Sequence, residues 1–139
     1  MMLVRNYVDK SPINGLGIFA GEFIPKGTMV WEFTEGCDQI YSEEVLAALL
    51  PVQREVILHY GYVEPGMKGV ILCCDNARHF NYARDPNCGP GGEMKAGTIS
   101  TFAMRDIHPG EELTFSVEED ADALRKLGPE VFERLLPGT

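Results

Sequence analysis

Hydrophobic positions along the chain fall in short runs that Gly and Pro interrupt: LVRNYV, LGIFA, TMVWEF, GVILCC, TISTFAM and ELTFSV. Their β-branched and aromatic content and their turn-forming borders predict many short strands. Between the third and fourth runs the pattern changes. Ser42 is placed to cap SEEVLAALL, and Pro51 to open VQREVILH before Gly61, which predicts helices near 43–50 and 52–59. After Val117, the segment EEDADALRKLGPEVFERL sets acids ahead of bases, the order a helix dipole favours. Gly128-Pro129 interrupts it, so one or two short helices are expected there. RDPNCGPGGEMKAG, residues 84–97, concentrates turn formers and reads as a loop or a wide hairpin connection. Strands and helices do not alternate as in a parallel α/β fold, so the pattern predicts a mainly β or α+β domain.

The length of 139 residues fits a single domain, 1–139, and 45% apolar with 24% charged content excludes wholesale disorder. The longest apolar run, Val45–Leu50, ends at Pro51 and is far short of the roughly 20 residues that span a bilayer. MMLVRNYVDK has no apolar stretch of the signal-peptide kind, so a soluble, intracellular, cytoplasmic protein without membrane contact is expected. Four cysteines without regular spacing suit reduced thiols better than a disulfide framework. A formal charge of −9 repels phosphate backbones, which argues against direct nucleic-acid contact and is compatible with a basic protein or peptide partner. The same charge also serves solubility alone.

Few local motifs carry chemistry by themselves. Cys73 and Cys74 are adjacent and would point to opposite faces of a strand, and no C-x-x-C pair accompanies them, so no metal site is expected. His59, His79 and His108 are scattered, and nothing marks a pairing of Cys88 with any of them, so inert thiols are the expectation. There is no G-x-S-x-G elbow and no Walker loop, and Gly15-Leu16-Gly17 taken alone is a turn. Glu118, Glu119, Asp120 and Asp122 offer a cation site in principle, but at a helix start they are expected to serve the dipole.

Three segments in order change this picture: SPINGLGIFAGEFIPKGTMVWEF (11–33), NARHFNYARDPNC (76–88) and IHPGEELTFSV (107–117). Together they resemble the SET domain, the family of S-adenosylmethionine-dependent protein-lysine methyltransferases. The family pattern runs from a G-x-G turn through R-F-x-N-H-S-C-x-P-N to G-E-E-L-T-(F/Y)-D-Y. Here Gly15 and Gly17 supply the first element, and Arg78, Phe80, Asn81, Pro86 and Asn87 the second. Gly110, Glu111, Glu112, Leu113, Thr114 and Phe115 supply the third. The resemblance covers residues 3–117, with a variable helical insert and an acidic helical tail, 118–139, expected to close the cofactor site. It implies a β-clip fold of small antiparallel sheets in which a C-terminal segment threads through a loop, so that the second and third motifs meet.

The resemblance further implies S-adenosylmethionine as cofactor, held by Gly15, Leu16, Gly17, Asn81, Tyr82 and Phe115, and a lysine on a basic, histone-like or other protein as acceptor. Glycines allow close backbone approach to such a ligand, and an Asn side chain offers both donors and an acceptor. At one point the sequence departs from the family. The terminal D-Y is here Ser116-Val117, and valine has no hydroxyl to orient an amine. Removing one preorganised polar group costs about a hundred- to a thousandfold in rate in other enzymes. Tyr60 and Tyr62 are the candidates to supply a hydroxyl, two apart and on one face if extended, lining the acceptor channel opposite Val117. Tyr82, standing where the family has His, is a further one. A non-catalytic SET module acting by protein binding is the alternative that Val117 raises. Cys88 follows Pro86-Asn87 where some relatives place a zinc ligand, but no cysteine follows it, so the chain resembles small bacterial or viral members without a cysteine-rich C-terminal segment.

Overall fold

The computed structural model describes residues 1–90 and 99–138. Residues 91–97 of the loop expected over 84–97 therefore lie outside the described residues, as does Thr139 at the end of the tail. Strand β1 (Asn6–Lys10) turns back into β2 (Leu16–Ala20) as an antiparallel pair, with Tyr7 stacked on Phe19 across the ladder at 5.6 Å. β3 (Met29–Glu32) joins a three-stranded antiparallel sheet in the order β3-β8-β7, with β7 at Cys88–Gly89 and β8 at Ser100–Ala103. β4 (Gln39–Tyr41) and β5 (Val70–Leu72) form a further antiparallel pair. The last pair, β6 (Asn81–Tyr82) with β9 (Thr114–Phe115), is parallel.

The sheets enclose one apolar cluster. Ile18, Ile24, Val30, Ile107 and Leu113 are buried to within 1% of full, and each comes from a different strand or strand flank. The insert carries its own smaller cluster, Leu46, Ile57 and Val70, beneath helices α1 (Glu43–Ala48) and α2 (Pro51–Tyr60). Ser42 caps α1 by accepting from the Val45 amide at 3.2 Å, and Pro51 opens α2, as the sequence predicts. Arg54 closes the end of α1 by donating to the Leu46 and Leu49 carbonyls at 2.9 and 3.2 Å.

The tail turns through α3 (Ala123–Leu127) and α4 (Pro129–Leu135). Gly128, at φ +75°, takes a left-handed conformation between them that a side chain would strain, and Pro129 then starts the next helix. Among the described residues no helix is long and apolar enough to cross a membrane.

Candidate functional site

The third motif reaches the site along β2. Residues 110–113 run beside β2, with the Ala20 amide donating to the Glu111 carbonyl at 2.9 Å and the Leu113 amide to the Ile18 carbonyl at 2.8 Å. Thr114 and Phe115 then pair with Asn81 and Tyr82, so motifs about thirty residues apart meet in the parallel ladder. Asn87 locks the crossing. Its Nδ2 donates to the Glu112 carbonyl at 2.8 Å, its Oδ1 accepts from the Thr114 amide at 2.9 Å, and the residue is buried.

The Glu112 carboxylate ties this junction to the first motif. It accepts from Ser11 Oγ at 2.8 and 2.9 Å and from Asn81 Nδ2 at 2.9 Å. The same Asn81 nitrogen reaches the carbonyls of Asn14 at 3.1 Å and Leu16 at 3.0 Å, which holds the glycine turn in place. Gly17 is required by this packing, because a Cβ there would stand 2.4 Å from Glu112 Oε2.

Beside the junction opens a cavity of about 1020 Å³. Gly15, Leu16, Asn81, Tyr82 and Phe115, five of the six residues expected to hold a cofactor, line it. Gly17, the sixth, lies behind them against Glu112. Phe115 meets the edge of Phe80 at 5.7 Å and tilts against Tyr82 at 4.9 Å, giving that wall an aromatic surface. The tail contributes Arg125, Lys126 and Arg134 to the lining, so the wall it provides there is basic and apolar more than acidic.

Tyr60 and Tyr62 both line the cavity, yet not as an extended pair. Tyr60 is the last residue of α2, 37% exposed, in edge contact with His59 and His79 and with the Arg78 guanidinium 5.9 Å from its ring centre. Tyr62 follows the Gly61 cap, packs its edge on Trp31 at 6.4 Å, and has its hydroxyl pushed up by burial and by the Glu64 carboxylate hydrogen-bonded to it. The face-sharing argument fails because the helix runs one residue further than the sequence pattern suggests. Tyr82 is not a free hydroxyl either. It donates to Asp120 Oδ2, and burial with the Asp120 charge pushes its own ionisation up.

Val117 corrects another expectation. It is 1% exposed at the start of a short 3₁₀ turn, Val117–Glu119, and does not border the cavity opposite the two tyrosines. The acid cluster also behaves differently from the dipole role read in the sequence. Asp120, 2% exposed, accepts from the Val63 and Asp122 amides, both at 2.9 Å, and from Lys126 Nζ at 2.9 Å, besides Tyr82. It thus fastens insert, second motif and tail at one point. Burial pushes the Cys73 and Cys88 thiols up to about 12, which leaves them unreactive, and all four cysteines are free.

Sequence reasoning missed Trp31 and Glu64, and it assigned Glu119 to the helix dipole. Trp31 is 3% exposed, borders the cavity, and its Nε1 has no hydrogen-bond partner among the described residues. Glu64 and Glu119 line the same cavity, and both carboxyls are pushed up, first by burial and then by neighbouring acids. Glu64 reads as part of a VEPG turn and Glu119 as part of an acid run, so no sequence signal separates either from solvated surface.

The family model of the SET domain matches residues 15–116. Histone-lysine N-methyltransferase trr of Drosophila melanogaster is 28% identical over 118 residues, which is 84% of this chain and 5% of that relative's length. The humanized mutant of Chaetomium thermophilum Polycomb Repressive Complex 2 bound to the inhibitor GSK126 aligns at 25% identity with a TM-score of 0.60, over 88% of this chain and 16% of that one. A Plasmodium falciparum histone-methyltransferase candidate aligns at 20% identity and a TM-score of 0.56, over 84% of this chain and 95% of that one, a likeness of fold alone.

Proposed function

The chain belongs to the SET domain family, and from that premise we propose that it binds S-adenosylmethionine in the cavity and methylates a lysine of a basic, histone-like or other protein. In this reading residues 3–117 are the core of a single domain and 118–139 a tail that walls the cofactor site. The observation that carries it is the junction of the three motifs, in which Asn81 Nδ2 binds the Asn14 and Leu16 carbonyls beside a cavity of about 1020 Å³. That volume lies at the upper end of the roughly 300–1,000 Å³ usual for ligand sites.

The residues present fit such a cofactor. The Phe80, Tyr82 and Phe115 rings suit a heteroaromatic base, the Arg134 guanidinium suits a carboxylate, and the backbone at Gly15 allows close approach. When bound, the cofactor supplies a methyl group already activated on a sulfonium sulfur. The protein's share is then to hold a neutral amine in line and to keep water out, which is mostly positioning. Free lysine loses its proton near 10.4, and burial in a dry channel lowers that value. The histone named for the Drosophila relative, together with the charge of −9 here, supports a basic acceptor.

The alternative, a SET module that acts by protein binding without catalysis, is favoured by Val117, which offers no hydroxyl and is buried outside the cavity. Incubation of the purified chain with isotopically labelled S-adenosylmethionine and a panel of histones and basic peptides decides between them. Label on lysine in wild type and none in an Asn81→Ala variant is the expected result. No label on any basic substrate, with the cofactor bound, favours the module.

A further inference from the structure

Helix α2 turns Ile57 toward the core of the insert, so the side of it that faces solvent is expected to be polar. It is not. Val52 and Val56, about 140° and 100° round the helix from Ile57, are 65% and 50% exposed, with Leu50 at 64% just before them. Tyr60, four residues on from Val56, continues the stripe to the point where α2 lines the cavity. Single exposed apolar residues are ordinary, whereas neighbours at i, i+4 and i+8 on the outward side of one helix form a continuous apolar strip.

The free charges of the insert are of one sign. Glu43, Glu44 and Glu55 are exposed, and none of them has a hydrogen-bond or ion-pair partner among the described residues. Arg54 is the one Lys or Arg between residues 39 and 60, and its guanidinium is taken up by the Leu46 and Leu49 carbonyls. A second copy of this face would set glutamate against glutamate with no free cation between them, which disfavours symmetric pairing. A partner that carries lysine or arginine beside its apolar residues neutralises the acids as it covers the valines.

We propose that the outer face of α2 docks a basic amphipathic helix of a partner protein. Apolar residues of that helix at i and i+4 lie across Leu50, Val52 and Val56, and its lysines and arginines meet Glu43, Glu44 and Glu55. A helix suits the strip because a ridge of residues four apart packs against residues spaced in the same way. Leu50, Val52 and Val56 do not line the cavity, so this surface is separate from the cofactor site and serves a methyltransferase or a binding module alike. The strip ends at Tyr60, which sets the partner beside the cavity.

The test is calorimetry and amide NMR on the whole chain, without cofactor, using the peptide acetyl-(Lys-Leu-Ala-Lys-Leu-Ala-Lys)2-amide and an isomer scrambled to remove its apolar face. Wild type is expected to bind the amphipathic peptide at least about tenfold more tightly than the isomer, less so as salt rises, with shifts centred on residues 43–60. The pair Val52→Thr, Val56→Thr keeps side-chain shape on an exposed face, and is expected to lose that preference with its melting temperature unchanged. Glu43→Gln with Glu44→Gln and Glu55→Gln is expected to flatten the salt dependence. Equal binding of the two peptides, shifts centred on the cavity wall, or an unchanged preference in the valine pair overturns the proposal. So does a dimer in sedimentation that the valine pair abolishes, since a second copy is then the occupant. Where the valine pair melts lower, the amide map of wild type decides by itself.

Discussion

The junction of the three motifs and the cavity beside it share a wall and treat their polar groups in opposite ways. At the junction, the Glu112 carboxylate and the Asn87 and Asn81 amides each have partners at 2.8 to 3.1 Å, and Asp120 beneath them accepts from four donors. In the cavity, Trp31 Nε1 has none among the described residues, Glu64 meets the Tyr62 hydroxyl but no counter-ion, and Glu119 sits without a counter-ion among the described residues. A satisfied polar network fixes geometry. An unsatisfied one in a cavity holds free energy that a ligand can release. The first region is scaffold and the second is the place where chemistry is expected.

Breaking the satisfied side has the largest expected effect. Asp120→Ala removes the acceptor of Lys126 and Tyr82 and of two backbone amides, and leaves the Lys126 ammonium, 16% exposed, without its carboxylate. A loss of about 3–5 kcal/mol in urea denaturation is expected, as for other broken buried pairs. Gly17→Ala comes next. Its Cβ must displace Glu112 Oε2 from 2.4 Å, so about 1–3 kcal/mol of stability is lost, and cofactor affinity falls with it as Asn81 loses a partner. Calorimetry and thermal melting on the same sample read both.

On the unsatisfied side the sign reverses, and the effect is the smallest of the three. The Glu64 and Glu119 carboxyls are pushed up in the folded state, so their contribution to stability is fully present below the ordinary glutamate range and is lost as pH rises through their raised values. Glu64→Gln with Glu119→Gln is therefore expected to raise the melting temperature at pH 8, and to matter little at pH 4. A lower melting temperature at pH 8 would place these carboxylates in the scaffold and erase the contrast.

Much of this fold is legible because punctuation and capping act locally. Ser42, Pro51 and the Gly128-Pro129 pair mark their helices without help from the rest of the chain. β6 and β9 are two residues each, and what pairs them is a long-range junction held by Asn87, which no window of sequence contains. β4 and β7 were hidden for the same reason, being short and set by partners. The motif resemblance brings Gly15, Leu16, Asn81, Tyr82 and Phe115 to one cavity wall. It is silent on the floor, since Glu64 and Glu119 gain their character from burial and from neighbouring acids. Tyr62 and Tyr82 look alike in sequence, and only their partners, Glu64 for one and Asp120 for the other, give them different work.

The most direct measurement is calorimetric titration of the wild-type chain with S-adenosylmethionine, repeated with S-adenosylhomocysteine and with Asn81→Ala. One-to-one saturable binding to wild type, weakened at least tenfold in the variant, is the predicted result, because Asn81 both lines the cavity and holds the glycine turn. No heat and no thermal shift with either ligand at millimolar concentration would contradict the account.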